Sequence, residues 1–174
     1  SLNVYQLLDE LLQWSRNQLG AVNIDLNAVL LSPLINETLD FMKDAIEHKS
    51  IKVSVNLEPD VMAKADKDLF KTIMRNLLAN GVKYSPDGAE IFIDANKQDS
   101  SVIISVCDQG PGVSSALKQQ LFSECVESSV GSAGEVGNGL GLKLCQVFAN
   151  KQQGALSLDE SYEQGAKLIL TLQA

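Results

Sequence analysis

The sequence predicts an α/β domain in two layers, a two-layer α/β sandwich in which one mixed, mostly antiparallel sheet is covered on one face by helices. Three observations predict it. Several short runs alternate apolar and polar residues with period two, as half-buried strands do. Other segments repeat apolar residues at helical spacing along a single stripe, so each such helix has one face to bury. The two kinds of segment mix without a strict strand–helix–strand repeat. At 174 residues, 45% hydrophobic and 21% charged, the chain has the size and balance of one domain with a real core.

Residues 2–18 read as an amphipathic helix, with Leu7, Leu8, Leu11, Leu12 and Trp14 as its stripe. Leu19-Gly20 ends it, and a short extended stretch follows. Pro33, near the first position of the next helix, opens a pattern running to about residue 50, with Leu34, Ile35, Leu39, Phe41, Met42 and Ile46 apolar. Residues 51–57 alternate as a strand. A short strand at 61–65 leads to a helix at 67–84, for which Asp66 is the expected cap. Ser85-Pro-Asp-Gly88 is a turn by composition. Two alternating runs, 90–95 and 102–108, suit a hairpin. Residues 109–139 are rich in Gly and Ser, with a helical patch at 115–122. That is too long for an ordinary connection, so the segment is either disordered or a functional lid. A helix at 140–151 and strands at 155–158 and 167–172 close the chain.

The composition narrows the function. A formal net charge of -8 argues against a broad nucleic-acid footprint or an anionic membrane surface. An anionic ligand would need local basic residues, backbone amides or a metal. Cys107, Cys125 and Cys145 lack C-x-x-C spacing, and with one histidine they make no obvious zinc site, so they read as reduced thiols. No apolar run approaches the length of a membrane span, and no signal-peptide pattern opens the chain.

Three features carry chemistry. On the 67–84 helix, Leu69, Phe70, Ile73, Met74, Leu77 and Leu78 form the core face. Asn76, Asn80, Lys83 and Tyr84 fall within an arc of about 100° along its edge at 3.6 residues per turn. Each alone reads as a solvated helix edge. Together they suit a metal–phosphate site, with amide oxygens for a hard cation, an ammonium for phosphate and a ring to lie against a base. Second, a strand runs into Asp108-Gln-Gly-Pro-Gly112, where a carboxylate can accept from an exocyclic amine and the glycines let backbone approach a ligand. Third, Gly137-Asn-Gly-Leu-Gly-Leu142 opens a helix, whose free amides favour phosphate oxygens. It lacks the Gly-Lys-Ser/Thr ending of a Walker loop and the third glycine of the dinucleotide fingerprint.

In this order, the three features resemble the ATPase module shared by histidine kinases, gyrase-type topoisomerases, Hsp90 chaperones and MutL repair proteins. Asn76-Leu-Leu-Ala-Asn80-Gly-Val-Lys83-Tyr84-Ser resembles the histidine-kinase N box. Asp108-Gln-Gly-Pro-Gly112 and Gly137-Asn-Gly-Leu-Gly-Leu142 resemble its two glycine boxes. The resemblance implies the Bergerat-type ATP-binding fold over residues 21–174. Leu11-Leu-Gln-Trp-Ser-Arg16 resembles the end of the second dimerisation helix, so residues 1–20 would be its remnant. Carried over, Asn80 would hold Mg²⁺ at the ATP phosphates, Asn76 would support it, and Lys83 would contact phosphate. Tyr84 would pack near adenine, Asp108 would accept from its amino group, and Gly110 and Gly112 would shape the base pocket. Gly137, Gly139, Leu140 and Gly141 would end the lid and offer amides to the phosphates.

The resemblance further implies a cytoplasmic sensor kinase, membrane-anchored in the intact protein and working as a homodimer. The implied partners are its own dimerisation domain, which bears the acceptor histidine, and a response regulator's receiver domain, with no nucleic acid. The gyrase branch has Glu where this chain has Asn76, and a neutral amide cannot take a proton from water. That favours transfer to an external histidine over hydrolysis. His48, in Ile46-Glu-His-Lys-Ser50, reads as a surface residue without catalytic role. Three departures stand out. The lid carries no basic residue between Lys118 and Lys143 but has Glu124, Glu127 and Glu135; Gly81 replaces the usual alanine; and Ala166 replaces a small hydroxyl residue. The basic-poor lid motivates the alternative of a degenerate module acting through protein contacts.

Overall fold

The computed structural model describes residues 23–115, 118 and 140–174. The expected helix at 2–18, the boundary at residue 20 and most of the lid lie outside the described residues; Ser115 and Lys118, from the helical patch, are both helical. Seven strands form one sheet: β1 (Asn27–Leu30), β2 (Lys52–Leu57), β3 (Met62–Ala65), β4 (Glu90–Gln98), β5 (Ser101–Cys107), β6 (Ala155–Leu158) and β7 (Lys167–Gln173). Their order is β1-β3-β7-β5-β4-β2, with β6 also paired to β7. The β2–β4 pair is parallel and the others are antiparallel, so the sheet is mixed and mostly antiparallel as expected. The described helices are α1 (Leu31–His48), α2 (Lys67–Tyr84) and α3 (Leu140–Lys151).

Period-two alternation decides which face is covered. Ile91, Ile93, Ala95, Val102, Ile104, Val106, Leu168, Leu170 and Leu172 are buried on one side. There they share a core with Phe70, Ile73, Met74 and Leu77 of α2, and each large side chain so buried contributes roughly 1.5–3 kcal/mol. Their alternates Phe92, Asp94, Ile103, Lys167 and Ile169 are only half-buried. Helices therefore cover one face. β4 runs three residues past the expected 95, because Asn96, Lys97 and Gln98 keep their pairing with β5 after the core has ended.

Helix α2 is fixed at its start as the sequence predicts. Asp66 Oδ1 accepts from the N–H groups of Asp68 at 3.0 Å and Leu69 at 3.1 Å. Its Oδ2 accepts from Asp25 N–H at 3.0 Å, and its own N–H donates to the buried Gln152 Oε1 at 2.9 Å. Asp66→Ala is expected to cost about 1–2 kcal/mol of stability, read as a lowered urea midpoint with an unchanged m-value. Pro33 is the third residue of α1, not the first. The shift is harmless, because the first four helical N–H groups have no partner within the helix. Leu30, at the N-cap, has no side chain to cap with, and the Leu31 N–H goes instead to Val61 O at 3.1 Å.

Candidate functional site

The edge of α2 turned away from the core carries Asn76, Asn80 and Tyr84, all half-buried, and Lys83, which is exposed. Asn76 Nδ2 donates to Thr72 O one turn back at 2.9 Å. Its Oδ1 lies against the start of α3, since a Cβ built on Gly141 would sit 3.0 Å from it. The expected N box and the end of the expected second glycine box thus meet. Asn80, one turn further on, makes no side-chain hydrogen bond among the described residues, which leaves its amide for a ligand. Lys83 Nζ lies 5.3 Å from the centroid of the Tyr84 ring.

Asp108 follows β5 directly and is 8% exposed. Its N–H donates to Ala166 O at 2.9 Å. Its Oδ1 accepts from Gly110 N–H at 2.9 Å and Ala166 N–H at 3.0 Å. Both bonds land on one oxygen, so Oδ2 remains available as an acceptor. Gly110 is wedged between the two halves of the site: a Cβ there would lie 3.0 Å from Tyr84 O and 3.1 Å from Asp108 Oδ1. Gly112 has φ +77°, a left-handed turn that favours glycine.

Gly81 brings α2 down onto this corner. A Cβ there would meet Ile91 Cδ1 at 3.1 Å and Asp108 Cβ at 3.6 Å. The substitution for alanine costs about 1 kcal/mol of helix propensity and relieves that contact.

Two site residues escape the sequence-level ligand set. Gly165 packs so closely that a Cβ on it would collide with Asp108 O, and Ala166 supplies one of the two N–H groups that hold Oδ1. Beyond the family resemblance, which marks Ala166 as a departure, their signal is a small pair just before the last strand, bonded back to Asp108 at the end of β5. Close by, burial pushes the Cys107 thiol up, with Lys167 opposing it. Burial, and then Cys107 and Asp108, push the Tyr162 phenol up. Neither group therefore adds negative charge beside Asp108 near neutral pH.

Of the remaining expected ligands, Gly137 and Gly139 lie outside the described residues. Leu140 is the first residue of α3, and its side chain lies outside them too. His48 is exposed at the end of α1. Among the described residues, no group of three His, Cys, Asp or Glu could hold a metal, and no helix is long and apolar enough to cross a membrane.

A helix edge of two amides, an ammonium and a ring lies beside a carboxylate and closely approached glycines, an arrangement whose chemistry suits a nucleotide. Residues 65–174 match the family model described as histidine kinase-, DNA gyrase B- and HSP90-like ATPase. The chain belongs to that family, and its relatives place it with the ATP-binding domains of sensor histidine kinases.

It is 28% identical over 96% of its length to the adaptive-response sensory kinase SasA of Gloeothece citriformis, covering 43% of that protein. It is 30% identical over 98% of its length to the sensor protein KdpD of Escherichia coli, covering 19%. The chain thus spans less than half the length of these curated relatives. Among solved structures, the catalytic domain of the histidine kinase ThkA superposes with a TM-score of 0.72 at 22% identity, covering 86% of this chain and 97% of that one. The histidine kinase AdeS of Acinetobacter baumannii gives 0.76 at 14% identity, covering 95% and 76%. Full-length ShkA in complex with AMPPNP gives 0.75 at 24%, covering 99% and 37%.

Proposed function

We propose that the chain binds Mg²⁺·ATP between α2, the end of β5 and α3, and transfers the γ-phosphoryl group to a histidine on its own dimerisation domain, for passage to a response regulator's receiver domain. Asp108 Oδ2 accepts from the adenine amino group, Tyr84 lies against the base, and Gly110 and Gly112 let the backbone approach it. Asn80 Oδ1 would hold the ion, Lys83 would meet phosphate, and Gly137, Gly139, Leu140 and Gly141 would offer their amides to phosphate oxygens. The residues fit such a group, because Asn80's amide and Asp108 Oδ2 are polar groups without a partner among the described residues. When bound, the ion neutralises phosphate charge as the phosphoryl group leaves. The intact protein is a cytoplasmic, membrane-anchored homodimer on this reading.

One observation carries transfer over hydrolysis. Asn76 stands where the hydrolases of the family have a glutamate. Its nitrogen is bound to Thr72 O and its oxygen packs against Gly141. An amide so placed cannot deprotonate water, so the phosphoryl group waits for an external acceptor.

Asn80→Ala is expected to weaken Mg·ATP binding roughly 10–100-fold, the loss of one bond to a charged group. Binding in EDTA and the urea midpoint should change little. Titration calorimetry with and without Mg²⁺ checks this, and equal losses in both media would remove the ion from Asn80. A kinase region restored with its dimerisation helices should form acid-labile phosphohistidine. The basic-poor stretch between Lys118 and Lys143 favours a second reading, a module acting through protein contacts. ATP binding without phosphohistidine in the restored protein would select it.

A further inference from the structure

We propose that Lys49 is a positioning residue for the nucleotide site, acting through the C-terminal turn of α2. This rests on the nucleotide reading above. α1 ends with Ser50 N–H donating to Glu47 O at 3.0 Å and Ile51 N–H to Ile46 O at 3.0 Å, a Schellman ending. Ser50 takes the left-handed turn, at φ +52°, in place of the usual glycine. That reversal leaves Lys49 half-buried beside the far end of α2.

There Lys49 Nζ donates to Val82 O at 2.7 Å, Lys83 O at 3.0 Å and Ser85 O at 2.7 Å. An ammonium has three protons, and three carbonyls take them. Val82 and Lys83 are among the last four helical residues, whose carbonyls have no partner within α2. The Gly81 carbonyl is met by Ser85 N–H at 3.0 Å, and Tyr84 O faces Gly110. The turn that follows folds back on the same residue, with Gly88 N–H donating to Lys49 O at 2.8 Å. A full positive charge also sits at the negative pole of the helix.

The consequence lies in what hangs from these carbonyls. Lys83 and Tyr84 carry the side chains assigned to phosphate and base, and Tyr84 O abuts the glycine that bonds Asp108. Lys49 touches no ligand atom itself. It fixes the last turn of α2, and so the distance from Asn80 and Lys83 to the Asp108 corner.

The test compares three variants with the parent chain by ATP titration and urea unfolding. Lys49→Met keeps the stem and removes the donors. Lys49→Arg keeps the charge, but its planar fork cannot converge on three carbonyls. Gln152→Leu perturbs the opposite end of α2 and serves as the stability control. Lys49→Met should raise the dissociation constant about 10-fold, the usual scale for losing a partner that orients a ligating group, with Lys49→Arg weakened by a smaller factor. Gln152→Leu should lose stability yet bind ATP as the parent does.

Parent-like ATP binding by both Lys49 variants, or an equal loss in Gln152→Leu, overturns the inference. If Lys49→Met does not fold, the arginine variant decides alone. A parent chain that binds no ATP overturns the nucleotide reading, and the role of Lys49 with it.

Discussion

Asp108→Asn is expected to raise the dissociation constant for ATP by about 100-fold or more while leaving the fold intact. The argument is one of donors and acceptors. In the parent, Oδ1 is committed to two backbone N–H groups, from Gly110 and Ala166, and Oδ2 is open. If asparagine keeps its oxygen on those two donors, its NH₂ points at the adenine amino group, donor against donor. If the amide flips, its oxygen reaches the base but the NH₂ then faces the two half-buried backbone N–H groups. No orientation satisfies both sides. Losing a charge-assisted bond costs about 1.5–3 kcal/mol and stranding a desolvated donor about 1–3 kcal/mol, which together give about 100-fold or more.

The same logic predicts base selectivity in the parent chain, because the O6 carbonyl of GTP would meet a carboxylate. Calorimetric titration of both proteins with ATP and GTP, beside their urea midpoints, is the measurement. An asparagine variant that bound ATP within about 3-fold of the parent would remove Asp108 from the base pocket.

How far the sequence foretells this molecule depends on whether a feature is local. α2 is legible to the residue because a full apolar stripe and a real capping aspartate mark it, and Asp66 makes both cap bonds. α1 is legible only in outline. Its turn residue, Ser50, is not glycine, and neither is Gln153 at the end of α3, where φ is +60°. Alternation located most of the strands and the β4–β5 hairpin, but not the other pairings. A period of two reads the same whether Lys52–Leu57 pairs parallel to β4, as it does, or antiparallel. The site divides the same way. Asn76, Asn80, Lys83 and Tyr84 share one helical arc and Asp108 ends a run of alternation, so spacing makes all five candidates, and the family resemblance supplies their proposed roles. The contact of Asn76 with Gly141, and the three carbonyls on Lys49, join segments far apart in the chain. Gly165 and Ala166 offer no functional side chain at all, and residues that act through their backbone leave little trace in composition.

Gly165→Ala tests that last class, and its expected effect on stability is the largest proposed. A Cβ at this position would collide with Asp108 O, and would also sit 2.7 Å from Asp108 C and 2.8 Å from Oδ1. Such an overlap is cheap where the neighbour is the flexible end of a side chain, but here the neighbour is backbone. Nor can the two segments move apart freely. Asp108 N–H bonds Ala166 O, and Ala166 N–H bonds Asp108 Oδ1, so each is stitched to the other within one residue of the clash. Relief means breaking one or both of those bonds and pulling the end of β5 from β7. Overpacking of this kind costs about 1–3 kcal/mol, and each broken bond adds roughly 1 kcal/mol, so a loss of about 2–5 kcal/mol is expected. The variant should unfold at much lower urea. Whatever fraction remains folded should bind ATP poorly, because the strain is released through the groups that aim the Asp108 carboxylate. A variant that kept the parent's urea midpoint and its ATP affinity would show that the β5–β7 corner yields without moving Asp108. The close approach of Gly165 would then have no part in shaping the base pocket.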